Sequence, residues 1–119
     1  MADYLPLFSP GATVTYAASA AVAGGQLVEV TGDRTVGPAG ADSAKVVGVA
    51  GFDAATGDNV AVYSGGVQRP TASGAIAAGA KVASAAAGKA QTLGALTNPI
   101  GIALAAAANG EPVQVKLDR

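Results

Sequence analysis

Ala21-Val22-Ala23-Gly24-Gly25-Gln26-Leu27-Val28 returns 54 positions later as Ala75-Ile76-Ala77-Ala78-Gly79-Ala80-Lys81-Val82. Val47-Gly48-Val49-Ala50 returns 53 positions later as Ile100-Gly101-Ile102-Ala103. Thr56-Gly57-Asp58-Asn59-Val60-Ala61-Val62 returns, again after 53 positions, as Asn109-Gly110-Glu111-Pro112-Val113-Gln114-Val115. Three blocks in one order, with a single residue of slippage, mark an internal pseudo-repeat roughly over 21–66 and 75–119. Low complexity is the competing reading, because Ala, Gly and Val are frequent throughout.

Each unit follows one pattern. A Gly turn leads into a strand around Val28 or Val82, and a short Val-Gly-Val or Ile-Gly-Ile strand follows about twenty residues on. A Gly-acid turn then leads into alternating apolar positions, Val60 and Val62 or Val113, Val115 and Leu117, the period of a half-buried strand. Thr13–Tyr16 is another β-prone run. Gly48 and Gly101 fall inside strands, where glycine often marks a bulge, a bend or close backbone approach. Two equivalent glycines of this kind predict a sharply curved sheet. The Ala-rich runs 83–90 and 103–108 are compositionally suited to helix, since Ala is the best helix former, but neither carries an amphipathic stripe. The first reads equally as an exposed loop, and the second as a short helix or a turn leading to the Asn109-Gly110 stop. The fold class expected is mainly β, a small β-barrel or β-sandwich built from two similar β units, with little helix.

The core materials are thin. Half of the 119 residues are hydrophobic, yet only 4% are aromatic, so Ala and Val carry the apolar count. Burial contributes roughly 25 cal/mol per Å², and Ala offers little area. Such a fold is expected to lean on a neighbour, as an oligomer or against a surface.

Charge and composition exclude several functions. The net charge is −1, and the seven Lys and Arg are scattered without a basic stripe, which argues against nucleic-acid binding. The absence of Cys and His removes thiolate metal sites and His-based nucleophilic triads. Val62-Tyr63-Ser64-Gly65-Gly66 lacks the leading Gly of a nucleophile elbow. Gly88-Lys89 lacks both the first Gly of a P-loop and its metal-binding Ser or Thr. Asp53 and Asp58 lack EF-hand spacing, and Asp58 and Glu111 read as turn residues. The expectation is a non-enzyme with no cofactor, no metal and no small-molecule substrate. The start of the chain has neither a charged n-region nor a continuous h-region, and the longest apolar run, 100–108, is half a membrane span. A protein with no membrane partner, made in a cytoplasm, is expected.

Residues 1–11 differ from the single β domain expected over 12–119. Asp3-Tyr4-Leu5-Pro6-Leu7-Phe8-Ser9-Pro10-Gly11 concentrates large apolar side chains, and its two prolines hold it extended. It reads as an extended N-terminal arm, able to lie along a partner's sheet edge or groove or to fold back over its own barrel.

From the arm, the sequence continues through Gly11-Ala12-Thr13-Val14-Thr15-Tyr16, Val22–Val28, Val47–Ala50, Ala54–Val62 and Ser64-Gly65-Gly66-Val67. Ile76–Val82, Ile100–Ala103 and a closing Val-rich strand complete it. This pattern, covering nearly the whole chain, resembles the bacteriophage capsid decoration proteins, also called cement or head stabilisation proteins. The resemblance implies a compact β fold, commonly a homotrimer, that binds the major capsid protein on the outer surface of a mature head and stabilises it in the virion. It implies that the arm contacts the shell, through Tyr4, Leu5, Leu7 and Phe8. The alternatives are a carbohydrate-binding or adhesive β module, a head–tail joining or minor head component, and a small hydrolase built on Ser or carboxylates.

Overall fold

The alternating runs form strands. The computed structural model describes residues 7–8 and 12–119, and their regular structure is ten short strands and one 3-10 turn. Strands β1 (Val14–Ala18), β2 (Leu27–Gly32), β3 (Thr35–Pro38), β4 (Val46–Ala50) and β5 (Asn59–Tyr63) close into a barrel of order β1-β3-β2-β4-β5, with β5 returning to β1. Only the β1–β3 pairing is parallel.

The second half builds a matching sheet, curled into a barrel that a single isolated bridge closes. Strands β6 (Val67–Gln68), β7 (Lys81–Ala85), β8 (Lys89–Thr92), β9 (Pro99–Ala103) and β10 (Val115–Leu117) form a sheet of order β6-β10-β9-β7-β8. Its outer strand β8 curls back to the segment after β6 through a parallel bridge between Ala72 and Ala90. There the Ala90 N–H donates to the Thr71 carbonyl (2.9 Å) and the Ser73 N–H to the Ala90 carbonyl (2.6 Å). That bridge is the counterpart of the parallel Ala18–Val36 pair of the first barrel.

The correspondence runs pair by pair. Val28 opposite Gly48 matches Val82 opposite Gly101, and Ala50 opposite Val62 matches Ala103 opposite Val115. The isolated bridge between Val22 and Ala54 matches that between Ile76 and Ala107. Both β2–β4 and β7–β9 slip register just after these Val–Gly pairs, at Val28 and at Val82. The two glycines explain why. A Cβ on Gly48 would collide with the Tyr63 carbonyl oxygen, and one on Gly101 with that of Lys116. Bulge and close approach together bend each sheet enough for five short strands to close.

Inside the first barrel lie Ala18, Val22, Val28, Val36, Ala50, Ala54, Val60 and Val62. Their eight counterparts, Ala72, Ile76, Val82, Ala90, Ala103, Ala107, Val113 and Val115, fill the second. Apart from Ile76 both interiors are Ala and Val, so neither buries much area by itself. The second cluster grows by taking Leu27, Ala39, Val46 and Val49 from the outer face of the first barrel. Leu27 and Val28 are therefore adjacent in sequence and both fully buried. Strand alternation sends one into its own barrel and the other against the neighbouring barrel.

Polar contacts fix that junction. Ser84, fully buried, donates its hydroxyl to the Gly40 carbonyl (2.8 Å) and accepts from the Ser43 N–H (2.9 Å). The Gly88 N–H donates to the Ala39 carbonyl, and the Asp42 carboxylate accepts from the Thr97 and Asn98 N–H groups.

The first Ala-rich run is neither α-helix nor exposed loop, and the second leaves β9 as an irregular turn rather than a helix. Ala83, Ser84 and Ala85 belong to β7 and are buried, and the 3-10 turn Ala86–Gly88 reverses the chain into β8. Ala103 ends β9, and Ala107 bridges to Ile76. Burial of both faces of β7 outweighs the helix preference of Ala, which is worth only tenths of a kcal/mol per residue.

Candidate functional site

The chemistry-bearing residues serve the backbone. Ser64 donates its hydroxyl to the Val47 carbonyl (2.7 Å), and the Asp53 carboxylate accepts from the Gly24 N–H (2.8 Å). Asp58 and Glu111 hold equivalent turns: each N–H donates three residues back, and each carbonyl accepts from Ala18 or Ala72. Gly88 ends the 3-10 turn and Lys89 begins β8, so the pair does not stand at the start of a helix. Among the described residues, no three or more His, Cys, Asp or Glu side chains gather where a metal could be held. No helix among them is long and apolar enough to cross a membrane.

A cleft of about 270 Å³ opens where the barrels meet, lined by Ala23–Gln26 of one barrel and Arg69, Thr71 and Ala87–Lys89 of the other. Its charged lining residues are the cations Arg69 and Lys89. It offers a weak anion-accepting surface and no nucleophile with an adjacent base.

Surface apolar groups are more distinctive. Of the four arm residues selected from the sequence, Tyr4 and Leu5 lie outside the described residues. Leu7 is 80% exposed and Phe8 is 38% exposed. The Arg34 guanidinium sits over the Phe8 ring, 4.9 Å from its centroid, a cation–π contact that holds Phe8 against the first barrel. Arg34 itself has φ 48° in the β2–β3 turn, and its Nη1 donates to the Thr15 carbonyl (3.4 Å). So Phe8 lies against the β2–β3 turn at one end of the first barrel, and both it and the adjacent Leu7 are exposed.

Other exposed apolar side chains escaped the sequence reading. Ile102 (46%) and Leu104 (48%) stand at the end of β9, and Tyr63 and Val67 flank the link between barrels. Ile102 sits in an Ile-Gly-Ile run that reads as core. Its counterpart Val49 is indeed core, and only the barrel arrangement separates the two.

This two-barrel architecture has known parallels. The chain aligns over 90% of its length with 93% of the head fiber gp8.5 N base of bacteriophage phi29, at TM-score 0.70 and 21% identity, a likeness of fold. No curated protein sequence matches it. The phage cement protein family model matches residues 8–117, spanning Phe8 and both barrels, so the chain belongs to the phage cement protein family.

Proposed function

We propose that this protein decorates the outer surface of a mature phage head, binds the major capsid protein there as a homotrimer, and stabilises the shell without catalysing a reaction. The observation that carries the reading is the family match over residues 8–117, which takes in both barrels and the inner end of the arm. The likeness to a base of a phage head fiber supports placement on the head. In this reading residues 1–11 are a shell-contacting arm and 12–119 a single β domain. Tyr4, Leu5, Leu7 and Phe8 supply the apolar contacts.

The physics suits the task. A cement protein holds by many modest contacts repeated by symmetry, and linking three copies raises avidity by orders of magnitude without any new contact. Internal genome pressure is then opposed at every site. The test is heat-induced DNA release from heads with and without the protein. Decorated heads should release DNA at a higher temperature. Equal release temperatures with the protein bound would remove stabilisation from the proposal.

A further inference from the structure

The first barrel covers one outer face with the second. Leu27, Ala39, Val46 and Val49 are each no more than 3% exposed. The strand pairings place Lys81, Leu93, Pro99 and Ile102 at the corresponding positions of the second barrel. Among the described residues nothing covers them: Lys81, Pro99 and Ile102 are exposed, and Leu93 is half-buried. Leu104, also exposed, extends this apolar face.

The converse holds for the docking edge. The second barrel meets the first through Ser84 and Gly88. Their counterparts on the first barrel are Val30 and Arg34, half-buried and exposed respectively. Phe8 lies on Arg34 with Leu7 beside it. The chain thus carries a second face and a second edge at positions equivalent to those of its internal contact, and among the described residues nothing covers that face.

We infer that a second copy of this chain brings that second face and second edge together. The Val30–Arg34 edge of one copy, with Leu7 and Phe8, seats on the Ile102 face of the next, head to tail. The contact continues an interface that the chain already makes. Its charges also fit. Asp33 stands at the offset of Ala87, whose carbonyl accepts the Gln26 side chain across the internal junction, in a turn reshaped by the register shift between Val30 and Gly32. The same placement puts Asp33 beside Ala80 and Lys81, giving an acid opposite a cation.

One difference sets the spacing. A Cβ on Gly88 would lie 2.7 Å from the Leu27 carbonyl, so the internal contact requires glycine at that point. Arg34 forbids so close an approach between copies, and the Phe8 and Leu7 side chains fill the wider gap. Because the two surfaces differ, the contact is heterologous: it closes as a ring or continues as a fibre, and two copies do not satisfy it. This inference rests on the oligomeric part of the proposed function and is independent of capsid binding.

The chain has no Cys, so disulfide trapping is clean. Asp33→Cys combined with Lys81→Cys, oxidised without any capsid present, should give linked species at multiples of 11.3 kDa, including a trimer. Each single variant should give none, because the contact never brings a residue against its own counterpart. A double variant that stays monomeric, or a single variant that dimerises, overturns the inference. In the otherwise unaltered chain, Ile102→Glu should lower the mass by light scattering to 11.3 kDa with the thermal transition of the isolated subunit retained. An unchanged oligomer mass overturns it too. Heads assayed separately then distinguish the cases: binding by a protein that never traps leaves decoration standing and removes this contact.

Discussion

Leu27→Ala should separate two equivalent positions by their energetics. Leu27 is fully buried, on the outer face of the first barrel and against the second. Truncation removes its transfer free energy and leaves a cavity between two sheets that cannot close over it, a loss of about 2–5 kcal/mol. Against a typical total of about 5–15 kcal/mol, that is a large share, since few other side chains here exceed Val in size. At a chain length near 119 residues, each kcal/mol corresponds to about 4 °C in Tm, so the midpoint should fall by roughly 8–20 °C. The equivalent Lys81 is exposed, and Lys81→Ala should stay within about 0.5 kcal/mol. Urea unfolding followed by circular dichroism measures both. The wild type should unfold in one transition, because the two barrels share a hydrophobic cluster. A Leu27→Ala loss below about 1 kcal/mol, outside the range for buried Leu truncation, would refute the shared-core reasoning. So would a wild type that unfolds in two steps.

Other expectations follow from the same packing. Gly101→Ala pushes a methyl group into the Lys116 carbonyl and should cost about 1–3 kcal/mol as overpacking, measured by thermal melting; a neutral result would mean that β9 and β10 are not held this close. Ser84→Ala strands the Ser43 N–H at the barrel junction and removes a partner of the Gly40 carbonyl. A loss of about 1–3 kcal/mol is expected by urea titration, and an unchanged midpoint would show that the junction does not need this hydroxyl. Deleting residues 1–9 should weaken attachment to heads while leaving the far-ultraviolet spectrum and melting of the barrels intact. Equal binding by the truncated protein would exclude the arm as a contact, and loss of folding would assign it to the protein's own barrel.

The parts of the fold legible in the sequence are those where a local backbone need selects a residue type. Gly48 and Gly101 are fixed by the carbonyls they touch, and the Gly-acid turns by their reversed φ at Gly57 and Gly110, so the blocks around them repeat visibly. Thr35-Val36-Gly37-Pro38 and Lys89-Ala90-Gln91-Thr92 make equivalent backbone pairings at three of four positions yet match in residue type at none. Backbone hydrogen bonds do not need particular side chains, and that strand was invisible. The junction was invisible for the opposite reason. Leu27 and Lys81 occupy the same position, and only the placement of the second barrel decides that one is core and the other surface. Ser84 looked like a loop residue because its partners lie more than forty positions away. For the candidate surface, clustering of large apolar groups near the start pointed to Leu7 and Phe8, which are exposed, while Ile102 and Leu104 were hidden in a run that reads as core.

Co-sedimentation of the purified protein with mature, DNA-emptied and immature heads of its own phage, with bound copies counted, tests decoration most directly. The expected result is saturation at a number matching three-fold sites, with preference for the expanded shell. Absence of binding to every form of the head would contradict the proposed function, and a screen of glycans would then address the adhesive alternative.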